Sequence, residues 1–424
     1  MYWEDCQKRN CEAAVTHSKF NVDTKECEFL VGSRNDLFDA DLRSNIEVLN
    51  MFENRVNNFL KMFSKELVKI GQINKLPDMV SIGFWLNQIT NEGGQFYDKQ
   101  SNFIYKGKGL LFHVTPSNVP INFVYSLVLG LLTGNVNLVR LTSKPFEQIT
   151  LVVQILTTLL SKEDFLHLRK YIFLVRYPHN QNLTDYFSSL CKVRIIWGSD
   201  ETIQEIRQSS LPADSVDIVF PDRYSMLIVN SSEYLTLNSS QFAQKFYNDT
   251  YLFDQNACTS PHLLVWIGSA EQNSKAKEVF WNALEEIVKL KYSIEKIQSL
   301  DKLVTFQMHS AVDPTIRKLE RAGNRITVIS LRILDSSIVN LHSNSGYFMQ
   351  YDSPDLSCLK VLVTSKFQTL SYIGFNKYFL MDFIRENSLV GIDRVVEAGK
   401  TLDFSLTWDG IDLLSTLSRR IEFS

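Results

Sequence analysis

Strand-like and helix-like segments alternate along most of this sequence, and that alternation restricts the fold more than any other feature. The first series begins with GLLFHV at residues 109–114 and continues with NLVRL, YIFLVRY and VRIIWG, each followed by a helix-like segment. Apolar strands separated by helices and short turns are typical of a parallel sheet that helices cover on both faces. The series therefore predicts an α/β fold.

A second series of the same kind starts near Met226 and extends almost to the end of the chain. Its strand-like segments are SMLIVN, HLLVWIG, RITVISLRIL, GYFMQY, LKVLVTS and FQTLSYIGF, and a last helix is predicted over IDLLSTLSRRIEF. A chain of 424 residues is also too long for one small core. We therefore predict two α/β domains of similar build, with a boundary near residue 230.

Composition argues against several classes of protein. The net charge of −3 leaves no basic excess for binding nucleic acid. The six cysteines include no CxxC pair, so we expect no metal site and no disulfide framework, and free thiols suit the cytoplasm. The opening residues MYWEDCQKRNCEAAV lack the apolar core of a secretory signal. The most apolar stretch, 120–132, is shorter than the ~20 residues of a membrane-spanning helix.

Two residues are candidates for catalysis, one as a nucleophile and one as a hydrogen-bond donor. Cys258 lies in LFDQNACTSP, a polar loop before a strong strand, where backbone N–H groups would stabilise a thiolate. A buried structural cysteine is the alternative, and the local pattern by itself favours it. Asn118 lies in VTPSNVP after a strand, where its amide would be able to hold an oxyanion. An Asx-turn or a helix cap is the alternative there.

Two further turns carry groups that suit a nucleotide. Arg140, Ser143 and Lys144 lie at the end of the strand NLVRL, where cations suit a ribose or a phosphate; solvated loop charge is the alternative. Gly198 and Ser199 occupy a strand-to-helix turn whose N–H groups suit a phosphate; an ordinary N-cap is the alternative. Neither the GxGxxG fingerprint nor a P-loop occurs in the sequence.

Three side chains are candidates for proton transfer. His113, Lys106 and His342 carry groups that enzymes use as acids or bases. A structural histidine is the ordinary alternative for a lone His beside a strand. The sequence does not choose between the two roles.

Taken in order, six segments carry a family resemblance: FHVTPSNVPINFVYSLVLGLLTGNVNLVRLTSK, IIWGSDETIQEIRQ, VFPDRYSMLIV, LFDQNACTSP, FQTLSYIGF and GIDRVVEAGKTLDFSLTWDG. They resemble the acyl-CoA reductases of the bacterial bioluminescence operon, which make long-chain aldehydes and belong to the aldehyde dehydrogenase superfamily. The resemblance covers roughly residues 100 to 420. It implies an aldehyde dehydrogenase-like fold with two Rossmann-like α/β/α domains.

The same resemblance implies a role for each part of the chain. Residues 1–230 would form N-terminal helices and the nucleotide-binding domain, and residues 231–395 would form the catalytic domain that carries the nucleophilic cysteine. Residues 396–424 would pack back on the first domain or form an oligomer interface.

Matched residue by residue, the resemblance also implies functional groups. Cys258 matches the nucleophile, and Asn118 matches the asparagine that helps to form the oxyanion hole. Gly198 and Ser199 match the turn near the cofactor pyrophosphate.

The remaining matches concern the cofactor. Thr115 and Pro116 fall on the cofactor side, and Arg140 stands where the superfamily usually has a lysine against the adenosine ribose. Ser143 stands where many NAD-preferring members have a ribose-binding glutamate. A missing carboxylate removes a like-charge clash with a 2′-phosphate, so NADPH is expected, with NADH as the alternative.

One departure from the superfamily favours reduction. Aldehyde-oxidising members have a glutamate that activates water, and Phe220 of VFPDRYS stands in its place. Without that base an acyl-enzyme would hydrolyse slowly. The resemblance therefore implies that Cys258 attacks an acyl thioester and that hydride transfer releases the aldehyde. An aldehyde dehydrogenase working in the oxidising direction and a non-catalytic acyl-binding subunit are the alternatives.

The resemblance also implies partners. The bioluminescence relatives work with acyl-transferase and acyl-protein synthetase partners, so we expect acyl-CoA or an acylated protein as the donor. Superfamily members usually form dimers or tetramers, so a homo-oligomer is expected.

Overall fold

The computed structural model describes residues 26–38, 46–92, 102–312, 315–340 and 343–423. His342, one of the candidate proton-transfer residues, lies outside these ranges, as do Cys6 and Cys11. The other cysteines are free thiols: Cys27, Cys191, Cys258 and Cys358.

Within the described ranges the strands are, in chain order, β1 (Glu28–Val31), β2 (Phe103–Gly107), β3 (Leu110–Val114), β4 (Val136–Arg140), β5 (Ile172–Arg176), β6 (Val193–Trp197), β7 (Val216–Phe220), β8 (Tyr224–Asn230), β9 (Pro261–Ile267), β10 (Ile316–Ala322), β11 (Thr327–Leu331), β12 (Tyr347–Ser353), β13 (Phe367–Ile373), β14 (Arg394–Glu397), β15 (Thr407–Trp408), β16 (Ile411–Asp412) and β17 (Ser418–Glu422).

The α-helices of the same ranges are α1 (Arg34–Phe38), α2 (Asn54–Ile73), α3 (Pro77–Glu92), α4 (Asn122–Leu132), α5 (Glu147–Leu160), α6 (Gln181–Leu190), α7 (Asp200–Arg207), α8 (Ser231–Tyr234), α9 (Ser239–Thr250), α10 (Ala270–Lys291), α11 (Lys296–Val312), α12 (Leu359–Leu362), α13 (Lys377–Glu386) and α14 (Leu413–Leu417).

The chain divides into two compact units. The first comprises the described residues of Met1–Leu67, Leu86–Pro221 and Leu414–Ser424, and the second comprises those of Val68–Trp85 and Asp222–Leu413. The assignment of nucleotide binding, catalysis and a C-terminal segment to residues 1–230, 231–395 and 396–424 stays a prediction.

The first unit is built on a six-stranded sheet in the order β1-β5-β4-β3-β6-β7. Only β1 runs antiparallel to its neighbour; the other pairs are parallel. β3 and β6 are buried at every residue. Because successive side chains point to opposite faces of a sheet, both faces of these central strands are covered. Chain order reverses direction at β3, which makes its carboxyl end a topological switch point, the usual place for a ligand in such sheets.

The second unit contains a seven-stranded sheet in the order β10-β11-β12-β9-β8-β13-β14. Its strand pairs are parallel except for β10 with β11. β9 and β13 are buried along their whole length, as the apolar runs HLLVWI and FQTLSYI require. The prediction of an α/β fold with two mostly parallel sheets is therefore confirmed.

Two local predictions are wrong. The segment LKVLVTS was expected to be a strand, but Leu359–Leu362 is a short helix whose two end leucines are buried. Leu359 and Leu362 are three residues apart, a spacing that puts both on one helix face. The expected last helix ends at Leu417, and Ser418–Glu422 continues as strand β17. Strand β17 pairs with β2, whose residues are more than 300 positions earlier in the chain, so the local pattern carried no sign of it.

The apolar stretch after the VTPSNVP turn is a core helix. In α4 every residue from Phe123 to Leu132 is buried, which explains why this helix has no polar face. Among the described helices, none combines the length and the apolar character needed to cross a membrane.

Candidate active site

Cys258 lies on a tight turn at the amino end of strand β9. The N–H of Ser260 donates to the carbonyl oxygen of Ala257 at 2.9 Å, which closes the turn around Cys258. Ser225 Oγ, at the start of β8, donates to the Cys258 carbonyl oxygen at 2.7 Å. The same Oγ accepts from the N–H of Thr369 in β13 at 3.2 Å. Three neighbouring strands of the second unit thus fix the backbone of this cysteine.

The loop before Cys258 is anchored by Gln255. Its Nε2 donates to the carbonyl oxygens of Pro261 and Tyr347, both at 3.1 Å. Its Oε1 accepts from the N–H groups of Gly346 and Tyr347 at 3.0 and 3.1 Å. Gln255 has a positive φ of 61°, a strained conformation for a residue with a side chain. Four hydrogen bonds of the buried Gln255 amide hold this conformation in place and so fix the course of the loop that leads to Cys258.

The thiol of Cys258 is enclosed although the residue as a whole is half-buried. The pKa of this thiol is raised to about 12, chiefly by burial and next by the charge of Asp409; a hydrogen bond from Gln368 lowers it, and the charge of Asp222 adds to the rise. The Cys258 backbone N–H does lower the pKa, as expected for a group that stabilises a thiolate, but burial has the larger effect. At neutral pH the thiol is protonated, so a nucleophilic role requires a base.

In the first unit, the candidate cofactor residues Thr115 and Arg140 lie at the carboxyl ends of the adjacent parallel strands β3 and β4. Thr115 Oγ1 donates to the Arg140 carbonyl oxygen at 2.7 Å, which ties the end of β3 to the end of β4. The Arg140 guanidinium carbon lies 4.4 Å above the centre of the Tyr177 ring, a cation–π contact that fixes the side chain. Pro116 follows Thr115 and is half-buried, and Ser143 is exposed in the turn after β4.

Gly198 and Ser199 lie between β6 and α7. The N–H of Gly198 donates to the carbonyl oxygen of Phe220 at 3.2 Å. Ser199 is the N-cap of α7, and its Oγ accepts from the N–H of Thr202 at 3.3 Å. The ordinary capping role is thus present at Ser199. It leaves the helix N-terminus directed at the carboxyl edge of the sheet, an arrangement that suits an anion.

Asn118 is exposed in the turn between β3 and α4. The N-cap of α4 is Ile121, which makes no side-chain capping hydrogen bond. Asn118 is therefore not at the N-cap position of α4, and the alternative of an Asx-turn stays open. Asn118 belongs to the first unit and Cys258 to the second, so a joint role for them stays a prediction.

His113 is a structural histidine. It is fully buried, with Nδ1 2.7 Å from Ser126 Oγ and Nε2 3.1 Å from Asn137 Oδ1. Burial lowers its pKa to about 4, so the ring is neutral near pH 7 and cannot donate a proton to a substrate thiolate from this position. Lys106, the other described candidate, lies on β2 opposite Arg419 of β17.

Phe220, which the resemblance aligns with a catalytic glutamate, ends strand β7. Its ring stacks on Trp197, with centroids 3.9 Å apart and planes 21° apart. The side chain is 4% exposed and carries no group that accepts a proton. The position therefore serves packing within the first unit.

Sequence reasoning missed the polar side chains that surround Cys258. Gln368 Nε2 forms a close hydrogen bond with Asp409 Oδ1, and the Gln368 amide also lowers the pKa of the Cys258 thiol. Arg223 and Asp393 act on Asp409 through their charges. These residues lie in segments that carried the family resemblance, but only the turn signal Asp-Gly at 409–410 had a recognisable local meaning.

Among the described residues, no group of three or more His, Cys, Asp or Glu side chains is arranged to hold a metal ion.

Comparison with known proteins adds a family and a fold. A family model described as "Acyl-CoA reductase (LuxC)" matches residues 94–420. A long-chain acyl-protein thioester reductase from Aliivibrio fischeri is 27% identical over 165 residues, which are 38% of this chain and 32% of that protein. The matched segment thus spans about a third of the relative's length.

Solved aldehyde dehydrogenases share the fold. An NAD-dependent benzaldehyde dehydrogenase from Corynebacterium glutamicum superposes with a TM-score of 0.60 at 11% identity, over 89% of this chain and 87% of that one. Aldehyde dehydrogenase 21 from Physcomitrella patens superposes with a TM-score of 0.63 at 13% identity, over 87% and 85%. The expected aldehyde dehydrogenase-like fold is thereby confirmed.

Proposed function

Because the chain belongs to the LuxC acyl-CoA reductase family, we propose that it reduces a long-chain acyl thioester to the aldehyde through an acyl intermediate on Cys258. The observation that carries this proposal is the position of Cys258. It is a half-buried cysteine on a turn fixed by Ser225, and it lies within the matched segment with hydrogen-bonding and acidic side chains around its thiol. A cysteine kept only for packing would not need such neighbours.

The proposed reaction has two stages. Cys258 Sγ attacks the carbonyl carbon of the thioester, and the substrate's C–S bond breaks to release a thiol. We assign Asn118 and the Cys258 backbone N–H as donors to the oxyanion that forms in this step. The acyl-enzyme is then reduced, and the C–S bond to Cys258 breaks to release the aldehyde.

A nicotinamide dinucleotide fits the residues at the carboxyl edge of the first unit's sheet. Gly198 lies so close to α7 that a Cβ there would be 3.0 Å from Thr202 Cγ2. A side chain would be crowded at this position, and glycine leaves the backbone of the turn accessible to a ligand. The N-terminus of α7 would hold the pyrophosphate, with Gly198 and Ser199 at the turn. The bound cofactor supplies the hydride that reduces the acyl-enzyme.

The remaining cofactor residues would bind the adenosine half. Arg140 is a fixed cation on the ring of Tyr177 and would contact the ribose or its 2′-phosphate, with Thr115 and Pro116 beside it. Ser143 places no carboxylate against a 2′-phosphate, which supports NADPH over NADH as the preferred cofactor.

The absence of a water-activating base at Phe220 supports reduction over oxidation. The ring of Phe220 is packed on Trp197 and cannot activate water for hydrolysis of an acyl-enzyme. The acyl donor is acyl-CoA or an acylated protein; the relative's name, an acyl-protein thioester reductase, supports the second source as well as the first. With an acylated protein, the transferase or synthetase that acylates it would be a partner, and a homo-oligomer stays our expectation.

The test uses the purified protein, acyl-CoAs of several chain lengths, and NADPH or NADH. We expect a mass adduct on Cys258 with acyl-CoA alone, and aldehyde formation with nucleotide oxidation, with a higher kcat/KM for NADPH. Cys258→Ala abolishes both signals. Cys358→Ala, a change at another half-buried thiol of the second unit, leaves both intact.

Three outcomes would contradict the proposal. Nucleotide oxidation that survives Cys258→Ala excludes the covalent mechanism. Carboxylic acid formed from aldehyde and oxidised nucleotide without an added thiol shows the oxidising direction. No adduct and no turnover shows a non-catalytic acyl-binding subunit.

A further inference from the structure

The Cys258 thiol has a pKa raised to about 12, and the proposed reaction needs a group that accepts its proton. His113 is excluded by its burial in the first unit's sheet. Phe220 has no acceptor. Two carboxylates act on the thiol by charge, Asp409 and Asp222, and Asp409 has the larger effect.

We propose that Asp409 is the general base of the acylation step, taking the proton of Cys258 through a bridging water and returning it to the departing thiol. The inference rests on the proposed function, which it deepens by naming the residue that activates the nucleophile. All of the residues involved belong to the second unit.

One side chain places Asp409 close to the thiol. Gln368, at the start of β13 and 2% exposed, donates from Nε2 to Asp409 Oδ1. The next residue, Thr369, donates its N–H to Ser225 Oγ, which donates to the Cys258 carbonyl oxygen, so Gln368 also lies beside Cys258 and lowers the pKa of its thiol. Asp409 and the thiol are therefore both neighbours of one amide group. A water molecule between the two groups would complete the path of the proton.

The backbone holds Asp409 in position. Asp409 and Gly410 form the two-residue loop between β15 and β16, with φ values of 48° and 73°. Positive φ at both positions with the sequence Asp-Gly is typical of a type I′ hairpin turn. A Cβ at position 410 would lie 3.1 Å from Asp393 Oδ1, so the turn packs closely on the residues before β14.

The charges around Asp409 suit a base that works near neutral pH. Burial raises its pKa to about 6; the hydrogen bond from Gln368 and the charge of Arg223 lower it, and Asp393 raises it. Arg223 is held in turn by Asp393 at 3.7 Å and by the carbonyl oxygen of Phe367 at 3.2 Å. A base is most effective when its pKa lies near the working pH, because it is then both ionised and basic.

The proton balance closes within the acylation step. The S–H bond of Cys258 breaks as its Sγ–C bond to the acyl group forms, and the proton moves to the Asp409 carboxylate. The substrate's C–S bond breaks, and the departing thiolate takes the proton from Asp409 and leaves as a neutral thiol. Asp409 ends the step ionised, as it began.

The test measures the rate of acylation of Cys258 by acyl-CoA without nucleotide, by rapid quench and intact mass. Asp409→Asn should slow acylation by ~10²–10⁴-fold, the usual contribution of a general base. Asn tolerates positive φ in the same kind of turn, so the hairpin is kept, and the melting temperature checks this. Asp222→Asn removes the other nearby carboxylate and should leave the rate close to that of the wild type.

A purely electrostatic role gives the opposite sign. If Asp409 only raises the pKa of the thiol, its neutralisation increases the thiolate fraction, and Asp409→Asn acylates as fast as the wild type or faster. That result would overturn the inference while the proposed function stands. A wild-type protein that forms no adduct at Cys258 would instead refute the proposed function, and the inference with it.

The pH dependence of Cys258 alkylation is a second test, and it needs no acyl substrate. Alkylation of Cys258 by a small neutral reagent should rise with pH through about 6 in the wild type, as Asp409 ionises, and then level off. Asp409→Asn should lack this rise. A wild-type profile without a step near pH 6, rising only as the thiol itself ionises, would also overturn the assignment.

Discussion

At the scale of single residues, burial decides which titratable groups are able to take part in chemistry. His113 and Cys258 are both enclosed, and burial moves both pKa values away from neutrality. Both ring nitrogens of His113 have a protein partner, so its role is structural. Cys258 keeps a half-buried position near the carboxylate of Asp409, and this difference supports its proposed role as a nucleophile.

The buried hydrogen-bond chain of His113 makes stability depend on pH. Trp197 Nε1 donates to Ser126 Oγ at 3.3 Å, and Ser126 Oγ is also hydrogen-bonded to His113 Nδ1. On the other side of the ring, His113 Nε2 is hydrogen-bonded to Asn137 Oδ1. This chain fits a neutral ring with its proton on Nε2 and has no place for a second proton. The folded-state pKa is about 4, below the ordinary value of 6.5.

We therefore expect the protein to lose stability in acid. The contribution of His113 is fully present above pH 6.5 and is lost as pH falls through about 4. The difference between the ordinary and the folded-state pKa of His113 corresponds to ~3 kcal/mol of unfolding free energy, at 1.36 kcal/mol per pKa unit. Denaturant unfolding of the wild type and of His113→Phe between pH 7 and pH 4 measures it. An equal loss in both proteins would show that His113 does not cause it.

At the scale of elements, packing overrides local preference. Gly130 lies inside α4, where helix propensity alone would favour alanine by ~1 kcal/mol. A Cβ at position 130, however, would lie 1.7 Å from Oδ1 of Asn137, a buried residue of β4. Glycine is therefore required for α4 to approach the sheet.

Gly130→Ala should destabilise the first unit. The added methyl must displace Asn137, whose amide donates to the Asn135 carbonyl oxygen at 2.8 Å and whose Oδ1 lies against His113. We expect a loss of ~1–3 kcal/mol in unfolding free energy, the usual cost of overpacking a core. Thermal and denaturant unfolding check this. A stability gain of the size that helix propensity predicts would show that α4 has room here.

At the scale of the whole molecule, the two units use opposite edges of similar sheets. In the first, Thr115, Arg140 and Gly198 follow the carboxyl ends of parallel strands, as ligand sites in open α/β sheets usually do. In the second, Cys258 precedes β9 and Gln368 is near the start of β13, so the thiol lies at the amino edge. Each unit therefore supplies a different part of the proposed chemistry.

Asn118→Ala tests whether the first unit contributes to the acyl chemistry of the second. Loss of one oxyanion donor should lower kcat by ~10²–10³-fold. Because Asn118 is exposed, the change in melting temperature should stay within the range usual for a surface residue. The adjacent exposed Ser117→Ala serves as the matched control. If kcat is unchanged in Asn118→Ala, the residue is a turn former only.

The sequence by itself determined the α/β class, the two mostly parallel sheets and the family. Strand–helix alternation and ordered motifs are local features, and they can be recognised without knowledge of tertiary contacts. It also singled out Cys258 and Asn118 as candidates, and the resemblance then favoured catalysis over their structural alternatives. It misplaced residues 359–365 and 418–422, because a short apolar run fits helix and strand alike and β17 depends on a distant partner, β2.

Only the tertiary structure decided the protonation states of the titratable side chains. A pKa depends on burial and on charges that the chain brings together from far apart, and Cys258, Gln368 and Asp409 are separated by 110 and 41 positions in the sequence. No local pattern records such proximity. For the same reason the sequence left His113 open as an acid or base, and the fold made it a buried, neutral part of the core.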